Sequence, residues 1–229
     1  MNSKLRLPIL LAGLILILDQ ALKIWVKTNL PLNDVIPLFG KWGFLLFTEN
    51  PGMAFGYKFG GEAGKIALTV FRIVAVIGIA WYLSDLAKKN APGGLLISFA
   101  LIFAGALGNI IDSSLYGIIF DSGTTFNADL GDWQGYKGIS KLNFEGYAPA
   151  FKGCVVDMFY FPLIEGQFPN WFPIWGGERF TFFRPVFNIA DSAITVGVAS
   201  ILIFHRKFFK QTSKKKLEAN EETVEATNS

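Results

Sequence analysis

Leu95-Leu96-Ile97-Ser98-Phe99-Ala100-Leu101-Ile102-Phe103-Ala104-Gly105-Ala106-Leu107-Gly108-Asn109-Ile110-Ile111-Asp112 is the stretch that decides the fold. Its only charge stands at its last residue, and about 20 residues of helix are what a bilayer core requires. The run reads as a membrane-spanning helix that ends on an amide, Asn109, and a carboxylate, Asp112. Spacing of i, i+3 puts those two groups on one helix face. The small residues before them, Gly105, Ala106 and Gly108, allow another helix to approach closely.

Three more segments share this character: about 5–26, 66–86 and 186–204. The expected fold is an all-α polytopic membrane protein with four transmembrane helices, the third over 95–112. A small β-sheet and aromatic loops complete it on the outer (periplasmic) side. Residues 1–206 are expected to form a single membrane domain with outer regions about 27–65 and 113–185. Residues 207–229 read as a disordered cytoplasmic tail, because Lys214 to Lys216 and Glu218, Glu221, Glu222 and Glu225 show no apolar periodicity. A signal peptide competes for the first segment, since Lys4 and Arg6 precede it. No small-x-small cleavage site follows, so a retained helix is favoured.

Composition narrows the chemistry. Of 229 residues, 52% are hydrophobic and 17% charged, and the apolar ones are clustered. The only cysteine, Cys154, excludes an internal disulfide, and the only histidine, His205, lies beside the basic tail. A histidine triad or a zinc site is therefore disfavoured, and no metal or cofactor is expected. The net charge of +3 does not indicate nucleic acid, because the basic residues flank hydrophobic segments. Lys4 and Arg6, Lys88 and Lys89, and Arg206, Lys207 and Lys210 fall on one side of a four-span protein. The positive-inside rule makes that side, and both termini, cytoplasmic.

The outward connections carry their own signals. Trp42 to Thr48 is aromatic and β-prone, which suggests a small sheet on the membrane surface. Asp121 to Gly146 is polar and contains glycine. Phe168-Pro169-Asn170-Trp171-Phe172-Pro173-Ile174-Trp175 fits the headgroup interface or a small folded loop core equally well.

Polar groups at membrane depth point to function. Asp19 lies about two turns inside the outer end of the first helix, and Arg72 lies at similar depth in the second. Arg72 is expected to neutralise an outer carboxylate, Asp19 first; snorkelling of its stem to the headgroups is the alternative. Asn188 and Asp191 begin the fourth helix with the same i, i+3 spacing as Asn109 and Asp112. Asp157 sits in Cys154-Val155-Val156-Asp157-Met158-Phe159, a short apolar run that reads as a strand. Any one of these acids suits a mere helix end. Asp157 and Asp191 together with two intramembrane asparagines exceed that requirement.

Five stretches in order resemble the lipoprotein signal peptidases (signal peptidase II), bacterial membrane aspartic proteases. They are Asp19-Gln20 with Lys23; Asn50-Pro51-Gly52-Met53-Ala54-Phe55-Gly56; Gly105 to Asp112; Val155-Val156-Asp157; and Phe187-Asn188-Ile189-Ala190-Asp191-Ser192. The resemblance implies cleavage of a prolipoprotein before a diacylglyceryl-modified cysteine, in the bacterial inner membrane, with the active site at the outer face. It assigns catalysis to Asp157 and Asp191. Substrate or inhibitor contact falls to Asn50, Gly52, Asn109 and Asn188, and a supporting role to Asp19, Lys23, Asp112 and Ala190; Arg72 joins the supporting residues on its depth in the second helix. Partners so implied are the lipid-modified prolipoprotein, membrane lipid and globomycin-type inhibitors, with the enzyme a monomer. Two features depart from the family pattern. Ser113 stands where an arginine is usual, which leaves Arg179 or Arg184 as replacements, and the stretch from Ser114 to Gly153 is unusually long.

Two carboxyl groups sharing one proton can hold and activate water for peptide hydrolysis. The rival class is a small proton- or cation-coupled transporter that uses the same acids as relay groups. Against it stand the concentration of polar residues on one side and the absence of paired broken helices. A non-enzymatic scaffold would explain the aromatic loops but not the acid pair.

Overall fold

The computed structural model describes residues 3–52, 61–162, 164–182 and 185–209. Met53 to Gly56 of the second motif, Arg184 and the tail from 210 lie outside the described residues. The helices are α1 (Arg6–Asn29), α2 (Gly61–Lys88), α3 (Gly93–Ile111), a single turn α4 (Gly117–Ile119) and α5 (Ile189–Phe204). A π-helical turn over Asp112–Tyr116 joins α3 to α4. The strands are β1 (Val35–Phe39), β2 (Gly43–Asn50), β3 (Thr125–Asn127), β4 (Asp132–Gln134), β5 (Val155–Tyr160), β6 (Ile164–Gln167), β7 (Arg179–Phe182) and β8 (Val186–Phe187).

Among the described residues three helices are long and apolar enough to cross a membrane, and α5 is a shorter apolar helix of 16 residues. Their outer faces are greasy: Leu10, Phe71, Trp81 and Phe204 are each more than 60% exposed. Such surfaces belong in lipid. Apolar residues lie on the outward faces, while the polar residues of α1, Asp19, Lys23 and Lys27, are turned inside.

Helix α3 is the centre and packs against α1, α2 and α5. A Cβ at Gly105 would stand 2.2 Å from the Ala190 carbonyl oxygen, so only glycine lets α3 and α5 approach this closely. At the end away from the acids, Leu83, Leu86, Leu95, Leu96 and Ala100 form a core with Ala12. Phe208 and Phe209 also pack there, in a helical turn over 206–209. These two rings lie just past the expected tail start at 207 because they are apolar and find a surface.

At the other end, β1-β2-β5-β8 form an antiparallel sheet in that order. Its buried face joins Leu45, Phe47, Val156 and Met158 to Val26 of α1 and to Tyr116 and Phe120. The all-α label therefore covers the membrane part only, since β3-β4 and β6-β7 add two hairpins. The last helix begins at Ile189, not 186: Val186–Phe187 pair with β5 as a strand, and Asn188 is an extended N-cap. Hydropathy cannot separate a short apolar strand from the helix it feeds.

The tip of the β6–β7 hairpin holds the aromatic run. Phe168, Phe172 and Trp175 lie within 5.1–6.1 Å of one another ring to ring, whereas Trp171 and Ile174 are nearly fully exposed.

Candidate active site

The site rests on a buried ionic floor. Lys23 is one helical turn beyond Asp19 on α1, and its ammonium lies 2.9 Å from Asp19 and 2.8 Å from Asp112. Its third proton goes to Asn109 Oδ1 at 3.0 Å, so the three donors of a lysine are all used. Burial of a charge at this depth is tolerable only with such complete pairing. Gln20 Nε2 donates to Asp112 Oδ1 at 2.8 Å and to Asp19 Oδ2 at 3.1 Å, and its own oxygen accepts from the Tyr116 hydroxyl. Asp19 Oδ1 in turn accepts the Ala190 N–H at 2.9 Å, satisfying an orphan donor of the first turn of α5. Asp112 Oδ2 accepts the Val156 N–H at 3.2 Å. Two carboxylates and one lysine thereby tie together α1, the end of α3, β5 and α5.

Above this floor the strand and the last helix each deliver an acid. Asn188 and Asp191 form a reciprocal capping box: the Asp191 N–H donates to Asn188 Oδ1 at 2.9 Å, and the Asn188 N–H donates to Asp191 Oδ2 at 3.3 Å. The Asn188 amide also donates to Asp157 Oδ1 at 2.7 Å, to Val156 O at 3.2 Å and to Asn109 Oδ1 at 3.1 Å. Asn109 Nδ2 donates to Asp191 Oδ1 at 2.8 Å. The Lys23 ammonium can only donate, which fixes the orientation of the Asn109 amide and so its donation to Asp191. Asn50 donates to Asp157 from β2, and its own oxygen accepts the Gly52 N–H at 2.8 Å. Gly52, at φ +109°, makes the turn that allows this.

Asn109 and Asn188 thus connect Asp157 and Asp191 to each other and to the floor, and Asn50 reaches Asp157 from β2. Asp157 is buried, and its carboxyl is pushed up to about 8 by that burial and by the neighbouring Asp191 carboxylate. Lys23 and the amide hydrogen bonds from Asn50 and Asn188 oppose the shift without cancelling it. At neutral pH Asp157 carries a proton.

Two sequence expectations need correction. Asp19 is paired by Lys23, not Arg72; the lysine is one turn away on the same helix and reaches it first. The Arg72 guanidinium instead interacts electrostatically with Asp191, Asp157 and Asp112. Ser113, at the position of the missing arginine, is buried, and its hydroxyl turns back to Asn109 O at 2.9 Å. Arg179 sits exposed on the β6–β7 hairpin, and among the described residues the guanidinium that interacts with these acids is that of Arg72. Cys154 is not a nucleophile, since burial pushes its thiol up to about 11.

Sequence reading missed a second buried ion pair, Lys27 with Glu49. A signal exists for the lysine alone, since Asp19, Lys23 and Lys27 follow at i, i+4 and i+8 on one face of α1.

Comparison with known proteins converges on one family. Residues 11–207 match the family model described as Signal peptidase (SPase) II. A lipoprotein signal peptidase of Porphyromonas gingivalis is 46% identical over 191 residues, covering 83% of this chain and 78% of that protein. One from Amoebophilus asiaticus is 39% identical over 216 residues, covering 93% and 83%. Among solved structures, a bacterial membrane enzyme aligns at TM-score 0.54 with 25% identity, covering 91% of this chain and 90% of the other. The buried acids, the asparagines between them and these matches lead to the same place: the chain belongs to the signal peptidase II family of membrane proteases.

Proposed function

We propose that this chain removes signal peptides from prolipoproteins by cleaving before a diacylglyceryl-modified cysteine, with Asp157 and Asp191 as its catalytic pair. The observation that carries the reading is the acid pair itself, drawn from β5 and α5 and wired together by Asn109 and Asn188, with Asn50 on Asp157. Asp191 has both oxygens facing N–H donors and works as the base that takes a proton from the attacking water. Asp157 holds the shared proton and donates it toward the developing oxyanion of the scissile carbonyl. The proton then passes to the leaving amine. Arg72 steadies the negative charge of the pair from the α2 side.

Orientation follows from charge. Lys88, Lys89 and Arg206 lie at the end of the bundle opposite the acids, which supports cytoplasmic termini and an outward-facing site in the inner membrane. A site at this boundary has water, while the signal peptide arrives as a helix in lipid. The acyl chains of the substrate cysteine supply about 0.8 kcal/mol of attraction per buried CH₂ group, which makes lipid the main recognition element. Globomycin-type inhibitors would occupy the same path, and a monomer suffices for the chemistry. With the family established, nothing favours the transporter reading.

The test is cleavage by the purified chain, in lipid, of one prolipoprotein with and without its diacylglyceryl group. Cleavage on the N-terminal side of the modified cysteine, and only of the lipidated form, is expected. An intact lipidated substrate after prolonged incubation would overturn the assignment.

A further inference from the structure

Strand β2 works on two faces near its end. Thr48 pairs with Asp157, Glu49 with Val156 and Asn50 with Val155. Side chains alternate along a strand, so Glu49 shares the buried face with Val156, while Thr48 shares the opposite face with Asp157. The β2–β5 pairing slips by one residue between Leu45 and Thr48, so the register at the start of β2 does not carry through to Asn50. Beyond this pairing with β5, a side-chain hold fixes the last three residues of the strand.

Glu49 is that hold. Its Oε1 pairs with Lys27, and its Oε2 accepts the Thr124 N–H at 2.6 Å. Lys27 also donates to Ser122 O at 2.8 Å and lies 5.0–5.2 Å over the rings of Phe120, Tyr136 and Tyr147. Every one of these further partners belongs to the long stretch between Ser114 and Gly153. That stretch is anchored at its return as well: the Gly153 N–H donates to Ser113 O, and the Cys154 N–H to the Tyr147 hydroxyl at 2.8 Å.

We propose that Lys27 and Glu49 are positioning residues for the cleavage, and that the 114–153 segment acts as an internal brace closing over their ion pair. The brace fixes the register of Thr48 to Asn50 and so aims the Asn50 amide at Asp157. This inference rests on the reading of Asp157 as a catalytic acid. It gives the long segment a task within the reaction rather than at the surface.

The pH profile of cleavage reads the brace directly. Asp157 is faced by Asp191 from α5, Lys23 from α1, Arg72 from α2 and, across Val156, by Asp112 at the end of α3. None of these is altered by substitution at Glu49. A hydrogen bond to a carboxylate favours its charged form, so losing the Asn50 donation raises the pH at which the pair gives up its shared proton. The Glu49→Gln variant of the full chain, in lipid, should lose about tenfold in kcat with KM within about twofold. Its alkaline limb should move up by about half a unit to one unit. Tyr136→Phe, a gentler change from the brace side, should move the limb in the same direction by less.

A purely structural role would lower the amount of active enzyme and scale kcat at every pH, leaving the limb in place. An unmoved limb in Glu49→Gln therefore overturns the proposal. Should that variant yield no active protein, an unmoved limb in Tyr136→Phe overturns it equally. Failure of the catalytic reading is separate: it would appear as an active Asp157→Asn enzyme, whereas the brace alone fails if Asp157→Asn is dead and the limb stays put.

Discussion

Lys23 and Lys27 stand one turn apart on α1, both fully buried, and each leads into a different polar cluster. Around Lys23 gather four carboxyl groups, Asp19, Asp112, Asp157 and Asp191, with Arg72 as the second cation. Around Lys27 there is one carboxylate, Glu49, on which the buried Lys65 also acts electrostatically, and the remaining surroundings are carbonyls, a hydroxyl and aromatic faces. Four acids against two cations cannot all ionise in a low dielectric, and a proton is retained on Asp157. The second cluster, with its single carboxylate, holds geometry. An excess of acids over cations is what sets the proposed catalytic cluster apart from it.

The sharpest way to break the first cluster is Lys23→Met. It strands Asp19 and Asp112 without their cation, and should cost about 3–5 kcal/mol in thermal unfolding of the detergent-solubilised protein. A smaller change would show that the floor is not ionic.

The retained proton predicts a pH dependence of stability. Asp157 titrates near 8 when folded and near 3.9 when unfolded, so between these values the native state binds the extra proton. Its contribution to stability is therefore lost as pH rises from about 4 to about 8, by an amount on the order of a few kcal/mol. Asp157→Asn should flatten the decline in Tm measured over that window. An ion pair outside both clusters marks the lower end of the scale: Lys89 and Asp85 are 2.6 Å apart at the surface, with Lys89 mostly exposed. Lys89→Ala should change unfolding by less than about 1 kcal/mol.

How legible these clusters are in sequence follows from what joins them. Hydropathy and length reveal the long helices, and the i, i+3 and i, i+4 spacings place Asp19, Lys23, Asn109 and Asp112 near one membrane face. Asp157 is legible as a strand residue because Val155 and Val156 beside it are β-branched. The Lys27–Glu49 pair is not, because its partners come from α1, β2 and a segment some hundred residues further along, and no local period links them. That Arg72 faces Asp191, Asp157 and Asp112, outer carboxylates other than Asp19, is hidden for a related reason: depth along a helix does not say which way a side chain faces. The start of α5 was placed too early because Val186 and Phe187 continue its apolar run while pairing as a strand. Local periodicity reaches the floor of the site, and tertiary pairing supplies the rest.

The central claim is that Asp157 and Asp191 cleave as a pair, and the most direct test is turnover of a diacylglyceryl-modified prolipoprotein by Asp157→Asn and Asp191→Asn. Products would be read by mass spectrometry and folding by thermal unfolding of the same samples. Each folded variant should lose about a thousandfold or more in kcat, while the parent enzyme cuts on the N-terminal side of the modified cysteine. A folded variant of either kind that cleaves at the parent rate would contradict the account.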